Sequence, residues 1–199
     1  MSAADQAGPA DPADQETQEP GAGQGAAGAR APRVLIPADA LQERIVALAG
    51  EIHRDYADSG LLSCIGVLKG SVFFMVDLLK NLDLPVVVDF FQTSSYGGGK
   101  VPGEVRIRKD VDLSVRGRDV LLIEDIVDTG HTLRTVLSLL EFRGARSVRL
   151  CALLNKVGAR EVELEVHYAG FEIGNEFVVG YGLDFDEQYR NLPYIGVID

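Results

Sequence analysis

Apolar positions along the chain recur with two different periods. Leu41, Ile45, Leu48, Ile52 and Tyr56 lie three or four residues apart, which is one face of a helix. Asp39, with Gln42 three residues on, resembles a capping box at its start, and Gly60 is placed to end it. Residues 61–67 form a short apolar run suited to a buried strand, followed by the turn Lys69-Gly70-Ser71 and a helix over 72–79. Pro85 opens a β-branched strand over 86–91. Residues 93–103 read as a mobile loop, and residues 105–108 alternate like an edge strand. The strand–loop–helix order then repeats. Residues 120–123 are wholly apolar, Leu133, Val136, Leu137 and Leu140 mark a helix face that stops at Gly144, and residues 148–154 make another buried strand. A further short strand covers 177–180. Strands alternating with helices imply an α/β fold with a parallel sheet covered on both faces. In such folds ligands bind at the carboxyl ends of the strands.

Residues 1–33 have none of this patterning. They are Ala, Gly, Pro, Gln, Asp and Glu with no Leu, Ile, Val, Phe or Tyr, so they read as a disordered acidic tail that cannot bury enough surface to order itself. The domain is expected to occupy 34–199. The tail has neither a basic start nor an apolar stretch, so it does not read as a signal peptide, and it is acid-rich with no Arg before Arg30, unlike a mitochondrial transit peptide. Cytoplasmic location is the expectation, with no membrane partner, because no apolar run approaches the roughly 18 residues of a span. The net charge of −11 argues against nucleic acid as a partner. Cys64 and Cys151 sit in apolar segments without zinc-ligand spacing and read as buried, reduced thiols.

Chemistry concentrates in residues 120–132. An apolar strand ends in two adjacent carboxylates, Glu124 and Asp125; a short loop then carries Asp128, Thr129 and Gly130 before His131, Thr132 and a helix. Loop N–H groups and a helix N-terminus favour a phosphate. Thr129 and Thr132 add hydroxyl donors, Gly130 permits close backbone approach, and Glu124 and Asp125 can accept hydrogen bonds from the vicinal hydroxyls of a sugar. The tempting Gly97-Gly98-Gly99-Lys100 is not a phosphate loop of the G-x-x-x-x-G-K-[ST] kind, since the spacing fails and no Ser or Thr follows the Lys.

The 120–132 pattern resembles the PRPP-binding signature of type I phosphoribosyltransferases. Gly66-Val67-Leu68-Lys69-Gly70-Ser71, Ser94-Ser95-Tyr96-Gly97, Leu153-Leu154-Asn155-Lys156, Phe177-Val178-Val179-Gly180-Tyr181-Gly182-Leu183-Asp184 and the ending Tyr189-Arg190-Asn191-Leu192-Pro193 narrow it to the hypoxanthine(-guanine) branch of that family, over roughly residues 34–199. The resemblance implies the type I phosphoribosyltransferase fold, a parallel sheet flanked by helices with a small hood. It implies transfer of a phosphoribosyl group from PRPP to a 6-oxopurine, through a transition state like a ribosyl oxocarbenium ion, as a homo-oligomer (dimer or tetramer). Its motifs place Glu124, Asp125, Asp128, Thr129, Gly130, His131 and Thr132 on the ribose and its phosphate, with Asp128 as the proton acceptor near purine N7. They place Lys69, Gly70 and Arg190 on pyrophosphate, in a loop where relatives hold a cis peptide bond, expected here at Lys69–Gly70. Lys156 would donate to purine O6, Phe177 would stack on the ring, and Val178 would meet its Watson–Crick edge. Ser95 and Tyr96 would belong to a closing loop. Mg²⁺ is the implied cofactor, with Asp184, Glu124 and Asp125 as its candidate ligands. The imidazole of His131 is expected to be idle, and His53 and His167 to lie at the surface or an interface. A regulator that binds PRPP or a nucleotide without catalysis is the alternative, although this chain has no basic RNA-binding surface or winged-helix extension. Xanthine is a further candidate base.

Overall fold

The protein, described by a computed structural model over residues 31–95 and 105–198, is built on a six-stranded sheet and a three-stranded one. The strands are β1 (Arg33–Ile36), β2 (Leu62–Leu68), β3 (Val86–Ser95), β4 (Val105–Lys109), β5 (Asp119–Val127), β6 (Ser147–Asn155), β7 (Tyr168–Glu172), β8 (Val178–Val179) and β9 (Ile195–Val197). The helices are α1 (Ala38–Tyr56), α2 (Val72–Lys80) and α3 (His131–Phe142). The large sheet has the order β4-β3-β2-β5-β6-β7, parallel except for the antiparallel edge strand β4. The small antiparallel sheet, β1-β9-β8, corresponds to the expected hood.

The pleat of β5 explains why its apolar run is continuous. Successive side chains point to opposite faces. Leu121 and Ile123 therefore pack with Leu41, Ile45, Leu48 and Ile52 of α1 and Phe74 and Leu78 of α2. Val120 and Leu122 pack with Leu133, Val136 and Leu140 of α3 on the other face. Both faces are covered, so no polar alternation survives in the sequence. Cys64 and Cys151 are fully buried free thiols, and burial pushes Cys64 up to about 12 and raises Cys151 as well.

Several boundaries move. Pro37, not Asp39, is the N-cap of α1, and no side-chain cap forms. Asp39 lies in the first turn, and Gln42, at the surface, donates instead to Asp77 (3.1 Å) and Tyr181 (3.3 Å). Strand β5 continues through Glu124 and Asp125 to Val127, because Glu124 and Ile126 stay in register with Ala152 and Leu154 of β6. Thr93 to Ser95, expected in a loop, extend β3 by pairing with β4. The compact unit begins at Pro32, and Arg33, assigned to the tail, already pairs with Val197. The expected disorder of the tail lies, for residues 1–30, outside the described residues. His167 is exposed overall, as expected, although its side chain is partly covered and its Nδ1 accepts the Leu150 N–H at 3.2 Å. Burial lowers its pKa.

A chain beginning at Pro32 is expected to keep its melting temperature within about 2 °C of the full chain, while one beginning at Pro37 loses β1 with the buried Ile36 and drops by about 5–10 °C. Thermal unfolding of the two truncations checks this.

Candidate active site

Parallel pairing brings the carboxyl ends of β2, β5 and β6 to one edge, where the candidate residues gather. The loop after β5 enters α3 through Gly130, whose φ of 90° is left-handed backbone natural to glycine. No side chain caps α3, so its first N–H groups are left for an anion. A cavity of about 290 Å³ opens there, lined among others by Glu124, Asp128, Thr129, Gly130, Thr132 and the unforeseen Thr93. A second, of about 430 Å³, shares Asp128 and Thr129 and adds Lys156, Arg160, Glu161 and Asn175. Asp128 thus stands between the two.

Lys156 is 8% exposed, and its Nζ lies 3.5 Å from Asp128 Oδ2. The Lys156 N–H donates to Val127 O at 3.0 Å, and the Glu161 N–H to Thr129 O at 3.1 Å, so the ends of β5 and β6 hold each other. Arg160 was not foreseen; its guanidinium bonds the Asn155 side chain, and its Nη1 is buried without a partner. The one sequence signal for it was a cation four residues after Lys156 in a segment otherwise read only for that lysine.

Glu124 and Asp125 are the electrostatic anomaly. Burial, and then the Asp125 charge beside it, push Glu124 well above the usual carboxylate range. Burial raises Asp125 to about 6, against the opposing hydrogen bond from the Ile126 N–H at 3.0 Å. Glu124 Oε2 is buried with no partner. Such an oxygen suits a sugar hydroxyl or a divalent cation, so the donor set fits a metal-bound phosphorylated sugar. Asp125 also lies against Gly70: a Cβ there would sit 1.6 Å from Asp125 Oδ2. A Cβ on Gly182 would in turn fall 2.0 Å from Gly70 O.

The remaining candidates form a separate group. The cis peptide bond is Leu68–Lys69, one residue before the expected Lys69–Gly70. Lys69 Nζ donates to both oxygens of Glu187 at 2.9 and 3.0 Å. Arg190 donates to Gly182 O (2.7 Å) and Glu187 (3.2 Å) and forms an ion pair with Asp184 Oδ1 at 2.7 Å. Asp184 is therefore engaged by Arg190, and the expected metal set of Asp184, Glu124 and Asp125 is not preassembled: among the described residues no three metal-binding side chains converge. Phe177 is 53% exposed and meets Phe185 edge-on at 5.7 Å, free on one face to stack, while Val178 is buried in β8. Neither lines the two cavities. His131 Nε2 contacts Glu161 at 2.9 Å, and His131 is not among the residues lining the first cavity. The backbone of Ser95 pairs with Val105 at the end of β3, and Tyr96 lies outside the described residues.

Residues 37–186 match the model of the phosphoribosyl transferase domain. The chain is 53% identical over 167 residues to the bifunctional protein TilS/HprT of Listeria monocytogenes serotype 4b (strain F2365), covering 83% of this chain and 26% of that protein. It thus spans about a quarter of that relative's length. It is 47% identical over 167 residues to the hypoxanthine-guanine phosphoribosyltransferase of Bacillus subtilis (strain 168), covering 83% of this chain and 92% of that one. The crystal structure of a hypoxanthine phosphoribosyltransferase from Staphylococcus aureus superposes with a TM-score of 0.80 at 44% identity, over 84% of this chain and 91% of the other.

The raised pKa of Asp125 links site charge to stability. The folded carboxyl holds its proton up to about pH 6, whereas the unfolded one releases it near its model value of 3.8. Its stabilising contribution is therefore full below about pH 4 and lost as pH rises through about 6. Asp125→Asn, which cannot ionise, is expected to be more stable than the parent by about 1–3 kcal/mol at pH 8, with the gain shrinking towards pH 4. Urea titrations of the ligand-free proteins across that range check it; a gain independent of pH contradicts the assignment.

Proposed function

The chain belongs to the phosphoribosyltransferase family, and from that premise we propose that it is a purine salvage enzyme, transferring the 5-phosphoribosyl group from PRPP to hypoxanthine, and to guanine, with release of pyrophosphate. The identity to the Bacillus subtilis and Staphylococcus aureus enzymes supports the reaction class. The observation that carries the choice of base is the Asp128–Lys156 pair between the two cavities. N7 and O6 are neighbours on one edge of a 6-oxopurine. A carboxylate and an ammonium 3.5 Å apart can serve both at once, Asp128 taking the proton at N7 and Lys156 donating to O6. A 6-aminopurine would turn a donor towards the Lys156 ammonium, which itself only donates.

In this reading Asp128, Thr129, Gly130, His131 and Thr132 hold the 5′-phosphate through backbone N–H groups and hydroxyls, and Glu124 and Asp125 receive the ribose hydroxyls. As the bond from C1′ to purine N9 forms, the bond from C1′ to the pyrophosphate oxygen breaks, and Lys69, Gly70 and Arg190 receive the leaving anion. Phe177 stacks on the base and Val178 offers backbone groups to it. Mg²⁺ would offset the charge of substrate phosphates and the Glu124–Asp125 pair; Glu124, Asp125 and Asp184 are the residues proposed to hold it. Ser95 and Tyr96 are proposed to close the site against water. Exposed apolar side chains on α2 and β3, Phe73, Val76 and Val88, favour a homo-oligomer, a dimer or tetramer. Among the described residues no helix is long and apolar enough to cross a membrane; a cytoplasmic location, without nucleic acid as partner, completes the proposal.

The deciding experiment is PRPP-dependent conversion of hypoxanthine, guanine, xanthine and adenine by the purified protein, with Mg²⁺ and in excess EDTA. Turnover of the 6-oxopurines alone, dependent on the metal, is the expected result; ligand binding with no turnover of any base would favour a regulator. Asp128→Asn is expected to fold normally, bind nucleotide and lose about 10²–10⁴-fold in kcat. Lys156→Ala is expected to raise the KM for hypoxanthine about 10-fold or more and to narrow the gap to adenine, since a hydrogen bond to a charged donor contributes about 1.5–3 kcal/mol. Steady-state kinetics on both bases reads the two effects separately.

A further inference from the structure

Glu187 has no place in the reaction as described, yet it touches both cations assigned to pyrophosphate. Its carboxylate spans Lys69 Nζ, at 2.9 and 3.0 Å, and Arg190 Nη2, at 3.2 Å. The backbone is bent to put it there. Asp186, Glu187 and Tyr189 have φ of 50°, 60° and 72°, left-handed values uncommon outside glycine. The turn is closed by the Glu187 N–H donating to Asp184 Oδ2 at 2.9 Å and by paired backbone bonds between Phe185 and Gln188 at 3.2 and 3.0 Å. None of these closing bonds uses the Glu187 side chain.

We propose that Glu187 is a built-in competitor for the pyrophosphate end of the substrate: in the ligand-free protein its carboxylate fills the clamp between Lys69 and Arg190, gives way to phosphate oxygens on binding, and returns as pyrophosphate departs. The inference rests on the reading of Lys69 and Arg190 as pyrophosphate contacts.

The energetics allow the exchange. The side chains of Lys69 and Glu187 are 54% and 65% exposed, and ion pairs in such settings are individually weak. A pyrophosphate brings more charge and more acceptor oxygens, and Arg favours paired bonds to phosphate. The clamp also survives without Glu187. Arg190 is anchored independently by Gly182 O at 2.7 Å and Asp184 Oδ1 at 2.7 Å, so the guanidinium stays in place when the carboxylate leaves. Both cations hold the Glu187 carboxyl below its usual range, Lys69 more than Arg190, so it remains a charged rival near neutral pH. An internal anion of this kind weakens PRPP and pyrophosphate alike and leaves the purine untouched. It also keeps Lys69 from standing without an acid partner when no pyrophosphate is bound, and it meets the departing product with a replacement already tethered beside it.

The test is calorimetry with inorganic pyrophosphate and Mg²⁺, together with steady-state kinetics, on the full chain and on Glu187→Gln, Arg190→Gln and Lys69→Met. Thermal unfolding of each variant establishes that it is folded. Glu187→Gln is expected to tighten pyrophosphate about 3- to 10-fold, to lower the KM for PRPP by a similar factor, to strengthen product inhibition by pyrophosphate, and to leave the KM for hypoxanthine unchanged. In a Lys69→Met background the gain should shrink, because half of the clamp is gone. Unchanged or weaker pyrophosphate binding in Glu187→Gln, while Arg190→Gln weakens it, overturns the competitor role and leaves the site assignment standing; weaker binding would mark Glu187 as a residue that positions the cations. Unchanged pyrophosphate binding in both Arg190→Gln and Lys69→Met overturns the pyrophosphate site itself and the inference with it.

Discussion

Three distant segments meet at Gly70, which has no side chain of its own, and the candidate site depends on that contact. The missing Cβ of Gly70 leaves room for the Asp125 carboxylate, and the missing Cβ of Gly182 lets the Gly70 carbonyl approach the turn that leads into Asp184. Gly182 has a φ of 103°, open to glycine at little cost. Gly70, after the end of β2, thereby packs against the Asp125 side chain of β5 and lies at backbone distance from Gly182 after β8. Lys69, Asp125, Asp184 and Arg190 gather around one point because of it. Any side chain at either glycine would have to displace an acid or a carbonyl, and the groups proposed for pyrophosphate would separate from those proposed for ribose.

Charge is the second constraint. The site concentrates acids in a chain that is already acidic. Three of its cations are committed to acids: Lys156 to Asp128, Lys69 to Glu187, Arg190 to Asp184 and Glu187, while Arg160 bonds the Asn155 side chain. Among the described residues Glu124 and Asp125 have no cation in ion-pair contact, and burial answers by raising their proton affinity. The ligand-free protein thus balances itself with internal pairs and retained protons. A phosphorylated ligand with its counter-cation would replace both. The same groups proposed to recognise the substrate are therefore the ones that adjust when it is absent, and stability, pH response and binding become one problem.

Much of this was legible in the order of residues, for a definite reason. The helix face from Leu41 to Tyr56 and the apolar runs of β2, β5 and β6 follow from burial within each element, and the pleat or the helical turn writes that burial into a local period. The loop from Asp128 to Thr132 was also legible as a candidate, because the phosphate site proposed for it, made of N–H groups at a helix start, needs its residues contiguous. The errors have local causes too. Asp39 and Gln42 have the right spacing for a cap, but Gln42 is claimed by Asp77 and Tyr181 from other segments. Acids at 124 and 125 looked like a strand end, yet pairing with β6 carries the strand past them.

The sequence by itself determined the alternation of strands and helices, the chemistry of the loop after β5 and the family to which the chain belongs. The tertiary structure alone decided the rest. Strands β1 and β9 are four and three residues long, too short to carry a period, and exist because they pair with one another. The approach of Lys156 to Asp128 follows from the parallel register of β5 and β6, which sets Val127 beside Asn155. The capture of Glu187 by Lys69 joins residues 118 positions apart, and nothing near either residue announces it. Periodicity records what a residue meets within its own element. Contacts between elements depend on register and on close backbone approach, which a sequence encodes only through the whole fold.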